Sequence, residues 1–188
     1  MKHADDLEVI VRQSDSLMSA LRAARDLDLP DWLIFSGSVY QKVLNHLTGR
    51  PETYGLKDYD LAYFDDGDLS WEAEDTVIRR AAETLPAPLD QLFEVRNQAR
   101  VHLWFEGRFG EPYAPLSCSA EALERFVATV NAVGVRLEAD NRLTVFAPFG
   151  LEDLFSLRLR PNPARSIPSF RDKVSGIIAR WPEVRIEA

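Results

Sequence analysis

Cysteine is nearly absent from this sequence, and Cys118 is the single copy. One thiol cannot build an internal disulfide framework, and it leaves no cysteine-based zinc site. Long apolar runs are lacking too, since none approaches the roughly 18 residues of a membrane-spanning helix. The amino terminus, MKHADDLEVIVRQSD, has neither the basic start nor the apolar stretch of a signal peptide. These absences predict a cytoplasmic protein with no membrane partner.

Positive charge is also in short supply, because 22 Lys and Arg residues face 30 Asp and Glu residues, for a net charge of −8. Proteins dedicated to duplex DNA gain most of their affinity from basic surface, so this balance argues against a duplex DNA partner. The same balance is compatible with a nucleotide site in which cations offset local carboxylates.

The length of 188 residues suffices for one core, and no shift in composition marks a linker, so we expect a single domain over residues 1–188. Helical and strand patterns alternate along the chain, which predicts an α/β (α+β) fold with a mixed β-sheet, flanking helices and a helical C-terminal portion. The predicted helices cover residues 6–26, 39–47, 70–82, 119–130, 150–159 and 169–181. The predicted strands cover 32–35, 59–64, 92–95 and 101–105, with a hairpin of 133–137 and 143–146.

A turn of small residues, Ser36-Gly37-Ser38, ends the first predicted strand and leads directly into a helix. The free N–H groups and positive dipole of a helix N-terminus form an anion site. Gly37 permits close approach or a positive φ, and the two serines add hydroxyl groups. On its own, the stretch favours the simpler interpretation that Ser38 is an ordinary N-cap.

A pair of aspartates, Asp58 and Asp60, favours the anion site over the simple N-cap. Alternate residues of a strand point to one face, so both carboxylates project together while Tyr59 faces the other way. Adjacent like charges are unfavourable unless something neutralises them, and a divalent cation such as Mg²⁺ does so. The turn and this acidic strand therefore predict a phosphate site facing a metal site.

A third acid, Glu94, lies in the middle of the apolar stretch Phe93-Glu94-Val95, where an unpaired carboxylate is costly. If this strand lies beside the strand of the two aspartates, Glu94 can bind metal or accept a proton from an attacking hydroxyl. The alternative is that Glu94 faces solvent or pairs with Arg96 or Arg100. The sequence leaves both open.

Several other polar and aromatic residues have simpler interpretations. Asn97, Gln98, Arg100 and His102 form a dense polar set that either contacts substrate or builds a buried hydrogen-bonded network. Large aromatic residues are interpreted as core; these include Trp104, Phe105 and Trp181. Three further acids are interpreted as solvated turn residues: Asp65, Asp66 and Asp68.

The order of these motifs resembles the DNA polymerase β-type nucleotidyltransferase superfamily. A closer resemblance, to a bacterial branch of that superfamily, covers nearly the whole chain after residue 30. It rests on the stretches EVRNQARVHLW (94–104), APFGLEDLF (147–155) and RPNP (160–163), and on Lys173 with Arg180-Trp181-Pro182.

The resemblance implies transfer of a nucleoside monophosphate from a nucleoside triphosphate such as ATP to a hydroxyl, with Mg²⁺ as cofactor. The acceptor is left open between a small molecule, a protein and an RNA end. The residues implied in catalysis and metal binding are Asp58, Asp60 and Glu94. Those assigned to nucleotide binding are Ser36, Gly37, Ser38, Lys57, Arg158, Arg160 and Lys173, the arginines because their planar groups match phosphate oxygens. The long interval from Ser38 to Asp58 predicts an inserted loop near the site.

Two other functions stay open at this point. One is a nucleotide-binding or regulatory protein on the same fold that does not transfer. The other is an antitoxin-like or scaffolding protein that acts through its acidic surface.

Overall fold

A computed structural model describes residues 1–164 and 170–187 of the protein. Its α-helices are α1 (Ala4–Gln13), α2 (Asp15–Asp26), α3 (Gly37–Leu47), α4 (Trp71–Thr84), α5 (Leu89–Leu92), α6 (Phe105–Phe109), α7 (Glu152–Phe155) and α8 (Phe170–Arg180). Short 3₁₀ helices cover Gln98–Leu103, Ser119–Arg125 and Thr129–Asn131. In the described part of the chain, no helix combines the length and apolarity needed to cross a membrane.

Five strands form the main sheet in the order β3-β2-β1-β4-β5. They are β1 (Leu33–Phe35), β2 (Tyr59–Tyr63), β3 (Phe93–Asn97), β4 (Gly134–Leu137) and β5 (Leu143–Phe146). The β2–β3 pair is parallel and the other neighbouring pairs are antiparallel, so the sheet is mixed as predicted. A separate parallel pair joins β6 (Arg158–Leu159) to β7 (Arg185–Ile186).

The two faces of the sheet have different partners because strand side chains alternate. Ile34 and Leu61 belong to the main core, which also holds the apolar residues of α1, α2 and α3. Leu33 and Ala62 belong to a smaller cluster with Phe35 and Phe126 packed against it. The face that carries Asp60 therefore has the thinner apolar cover.

The helix predicted over residues 6–26 is two helices that meet at Ser14. Ser14 has an extended backbone (φ −88°, ψ 100°), and its hydroxyl accepts a hydrogen bond from the Leu17 N–H at 3.2 Å. A serine that caps the next turn competes with continuation of the helix. The apolar periodicity survives the break, because Leu7 and Leu17 are both buried, and this is why the pattern alone suggests one helix.

The strand predicted over residues 101–105 is wrong. The chain there forms the 3₁₀ helix Gln98–Leu103 and then α6. Asn97 ends β3, because its side-chain oxygen accepts a hydrogen bond from the Ala99 N–H at 3.1 Å. Arg100 then turns inward to form a buried ion pair with Glu74 of α4.

Two predicted helices are also shorter or tighter than expected. Residues 119–130 contain 3₁₀ helices in place of one α-helix. Within 150–159 only α7 is helical, since Leu157 adopts a left-handed backbone (φ 55°) and the chain continues into β6. A leucine in that conformation is strained, and no local pattern signals it.

The loop between α3 and β2 is held firmly along α3. Asn45, which is buried, donates hydrogen bonds to the carbonyls of Glu52 and Tyr54 at 3.2 and 2.9 Å. Its side-chain oxygen accepts a bond from the indole N–H of Trp181 at 2.9 Å. A Cβ added at Gly55 would lie 3.3 Å from the Gln41 amide oxygen, so the returning chain lies close to the first turns of α3.

We predict that Asn45→Ala lowers the free energy of unfolding by about 3 kcal/mol, because two carbonyls and the Trp181 indole lose their partner in a buried place. Urea unfolding followed by circular dichroism measures this. The control is Gln13→Ala, an exposed amide at the end of α1, for which we expect a change below about 0.5 kcal/mol. Equal effects of the two substitutions would contradict the anchoring role.

Candidate active site

Two neighbouring strands bring Asp60 and Glu94 side by side, and Asp58 immediately precedes the first of these strands. In the parallel register Asp60 lies directly opposite Glu94, and on the other side of β2 it lies opposite Phe35. Tyr59 is 1% exposed and belongs to the main core, so its neighbours Asp58 and Asp60 face the opposite side. The condition that the sequence set for Glu94, a place beside the aspartate strand, is met.

The pKa of Asp60 is affected by the other two acids. The pKa of Asp60 is raised to about 7, first by burial and then by the charges of Asp58 and Glu94, while Arg96 lowers it. A carboxyl that resists ionisation between two other carboxylates favours a compensating cation. Glu94 itself is exposed, as the alternative of a solvent-facing residue predicts, whereas Arg100, one of its alternative partners, is bound to Glu74 instead.

The donor set suits a hard divalent cation, which prefers carboxylate oxygens. Within residues 1–164 and 170–187, no three His, Cys, Asp or Glu side chains converge into a complete set of metal ligands. Asp58 and Asp60 offer one or two carboxylates, and Mg²⁺ commonly takes its other ligands from water and substrate phosphates. These residues therefore fit a cation shared with a nucleotide better than a permanently enclosed ion.

The turn before α3 differs from an ordinary cap. The N-cap position is held by Ser36, whose side chain makes no capping hydrogen bond, and Ser38 is already helical. The hydroxyl of Ser38 donates to the Phe35 carbonyl at 3.3 Å, so the interpretation of Ser38 as the N-cap is wrong. The Ser36 carbonyl accepts from Val39 and Tyr40, so the N–H groups of Gly37 and Ser38 are those that a helix start offers to an outside acceptor.

The backbone of Ser36 is strained, with φ 59° and ψ −120°. Serine rarely adopts this conformation, and such strain is concentrated at functional sites. The positive φ expected at Gly37 is therefore found one residue earlier. Gly37 serves close approach instead, since an added Cβ would lie 3.2 Å from Gln41 Nε2.

The predicted cations lie in three different settings. Lys57 is exposed and immediately precedes Asp58. Arg158 and Arg160 both reach Asp153, with closest N–O distances of 3.4 and 2.7 Å. Lys173 lies in α8, and its side chain is outside the described residues. A role for these four residues in binding nucleotide stays a prediction.

Sequence reasoning did not identify Arg96 as a site residue. It follows Glu94 by two residues on β3, so the two side chains share a face, and its charge acts on Asp60. The alternation of strand side chains, which predicts that Asp58 and Asp60 share a face, also predicts that Glu94 and Arg96 share one.

A cavity of about 760 Å³ opens beside Asp60 on the same face of the sheet. Its walls include Trp104, Phe105 and Phe109, together with Tyr113. Trp104 and Phe105 are partly exposed, so their prediction as core residues is wrong, whereas Trp181 is fully buried as expected.

A buried polar network supports the wall of this cavity. Glu74 accepts a hydrogen bond from the Asn97 N–H at 2.9 Å and pairs with Arg100. Arg100 also donates to the Leu69 carbonyl at 2.8 Å. The network interpretation of Asn97 and Arg100 is thus confirmed, and it fixes the 3₁₀ helix that carries the wall. The turn acids Asp65, Asp66 and Asp68 are exposed, as expected.

Comparison with known proteins places this geometry in a family. An NMR structure described as revealing a CCA-adding enzyme head domain shares 23% identity and has a TM-score of 0.78, covering 100% of this chain and 97% of that chain. A CCA-adding enzyme in complex with CTP shares 17% identity and has a TM-score of 0.55; the match covers 96% of this chain but 43% of the enzyme.

These two likenesses confirm the expected fold. No curated protein matches the chain significantly. A family model described as nucleotidyltransferase matches residues 22–186, which is most of the chain. The chain therefore belongs to this nucleotidyltransferase family.

Proposed function

We propose that this protein transfers a nucleoside monophosphate from a nucleoside triphosphate to an acceptor hydroxyl, with Mg²⁺ as cofactor. The observation that carries the proposal is the position of Asp60, opposite Glu94 and two residues from Asp58, with its pKa raised to about 7. Three acids in this arrangement are costly for a protein that has no cation to bind.

The triphosphate is anchored at the start of α3. The N–H groups of Gly37 and Ser38 and the positive end of the helix dipole supply donors for phosphate oxygens. A side chain at Gly37 would crowd Gln41, because an added Cβ would lie 3.2 Å from Gln41 Nε2. Anchoring the triphosphate here places the leaving pyrophosphate at the turn and the α-phosphorus toward the carboxylates.

Transfer makes one bond and breaks another at the α-phosphorus. The acceptor oxygen forms a bond to the α-phosphorus, and the bond from that phosphorus to the oxygen bridging to the β-phosphate breaks. The hydroxyl proton passes to a carboxylate of the acidic set, for which we propose Glu94, and from there to water. Asp58 and Asp60 would hold the metal, which would offset the charge of the phosphates when bound.

A second candidate is a protein that binds nucleotide without transfer. The absence of a converged three-ligand set among the described residues favours it. Binding and transfer are separable by experiment, because binding alone releases no pyrophosphate.

We predict Mg²⁺-dependent pyrophosphate release in the presence of a nucleoside triphosphate and a cell-extract acceptor fraction. CTP is tested first, because a CCA-adding enzyme of similar fold was solved with CTP, followed by ATP, GTP and UTP. Asp60→Asn should reduce the rate at least about 100-fold, because it removes charge at the centre of the site. The matched control is Asp66→Asn, an exposed turn acid, with an expected change below about twofold.

Three outcomes separate the hypotheses. A nucleotide-induced rise in melting temperature without pyrophosphate release supports the binding protein. No response to any of the four nucleotides removes both nucleotide hypotheses and leaves an interaction protein. Equal loss in Asp60→Asn and Asp66→Asn contradicts the assignment of the site.

We also predict that Asp60→Asn stabilises the metal-free protein at pH 8 by up to about 4 kcal/mol. The pKa of Asp60 is raised from 3.8 to about 7 in the folded state, so folding favours the protonated acid. Stability is therefore lost as the pH rises from about 4 to above 7, and asparagine avoids this loss. Urea unfolding in EDTA at pH 4 and pH 8 measures it, with Asp66→Asn as control. A gain of the same size at both pH values would contradict the prediction.

A further inference from the structure

We propose that the cavity beside Asp60 is the acceptor site, and that it takes a small molecule whose hydroxyl is carried by an aromatic ring. The inference rests on the proposed function, since an acceptor site presupposes transfer. It adds the chemical class of the acceptor, which the family and the fold leave open.

The position of the cavity relates it to the reacting atoms. Asp60 and Phe35, which are opposite each other in the β1–β2 register, both line it. Of the three acids, Asp60 is the one among the described lining residues. An occupant with a hydroxyl at this end presents its oxygen to the edge of the carboxylate set.

The body of α3 packs on the opposite side of the sheet from the cavity. Val39 and Val43 of α3 pack in the main core with Ile34 and Leu61, whereas the cavity lies on the face of Phe35 and Asp60. In phosphoryl transfer the attacking and leaving oxygens are roughly in line. With pyrophosphate held at the start of α3, the attacking oxygen approaches from the far side of the α-phosphate. We assign that approach to the cavity, because Asp60 lines it.

The walls define the chemistry of the occupant. The Phe105 ring centroid lies 4.7 Å from that of Phe109 and 4.6 Å from that of Tyr113, and Trp104 lies 6.1 Å from Phe105. Such a cluster favours stacked or edge-on contact with another planar ring. Phe109 is 54% exposed, so part of its ring is available for a ligand.

Size and charge favour a small molecule over a nucleic-acid end. A volume of about 760 Å³ lies within the roughly 300–1,000 Å³ of small-molecule sites. The net charge of −8 opposes the approach of a long polyanion. Arg96 and Gln98 give the cavity a few polar groups beside its rings, which is the usual composition of a site that orients a small ligand.

Titration with 2-naphthol, an aromatic alcohol used here as the probe, tests the site on the full chain. We expect saturable binding that Phe109→Ala weakens about 5- to 10-fold, as loss of a ring contact predicts. The control is Leu103→Ala, from the same segment, because Leu103 is 55% exposed and is not among the described lining residues. It should leave the affinity unchanged. Non-saturable binding, or equal affinity in all three proteins, overturns the proposal.

Competition identifies the natural occupant. If a nucleoside triphosphate with Mg²⁺ binds together with 2-naphthol, the cavity is separate from the donor site and the proposal is supported. If the nucleotide displaces 2-naphthol, the cavity holds the base of the donor and the proposal fails. Displacement by an oligoribonucleotide with a free 3′-hydroxyl, but not by one with a 3′-phosphate, assigns the cavity to an RNA end and also overturns it.

The proposed function and the acceptor-site proposal are tested by different measurements, so each can be contradicted separately. Nucleotide-dependent shifts in melting temperature and pyrophosphate release are recorded without 2-naphthol, so they test the proposed function alone. If those shifts persist while 2-naphthol does not bind, the acceptor proposal falls and the nucleotide site stands.

Discussion

The parallel register between β2 and β3 is the constraint on which the chemistry of this protein depends. It sets Asp60 opposite Glu94, and the alternation of β2 adds Asp58 to the same face. Burial of Asp60 and, after it, repulsion from Asp58 and Glu94 raise the pKa of Asp60 and disfavour its ionised form in the fold. The same alternation turns Leu61 and Val95 into the main core, whose burial offsets that cost. Stability alone gives no reason for three acids here, whereas a cation shared with a triphosphate does.

Different local structures fix the chain on the two sides of this acidic face. On the donor side, the strained backbone of Ser36 turns the end of β1 into α3 and leaves the helix N–H groups without a side-chain cap. On the cavity side, the buried pair Glu74–Arg100 and its bond to Asn97 fix the chain after β3. Breaking one partner of such a buried pair leaves an uncompensated charge. These contacts fix the positions of both sides, as the proposed in-line transfer would require.

What could be predicted from the sequence is what depends on local spacing. Asp58 and Asp60 share a face because any strand has a period of two, and Glu94 was recognisable as an acid in an apolar strand. The false strand over 101–105 shows the limit. Apolar residues do recur in that stretch as in a strand. The path of the backbone there is set instead by the pairing of Arg100 with Glu74, which lies 26 residues earlier in the chain. The aromatic cavity was hidden for the same reason, since its walls come from segments that meet only in the fold.

The loop between α3 and β2 accounts for the long interval from Ser38 to Asp58. It can support the site by holding α3 in place, without contacting substrate. It leaves the far end of α3, about 16 Å from the turn by the rise of an 11-residue helix, and returns along that helix. Buried Lys42 donates to the Glu52 carbonyl at 3.0 Å, and Gly55 packs against Gln41 and Trp181. The extra length therefore braces α3 from its last turn toward its first. In the proposed site the phosphate donors are the N–H groups of that first turn, so a rigid α3 would fix the donor site relative to the acids that the returning chain delivers at Asp58.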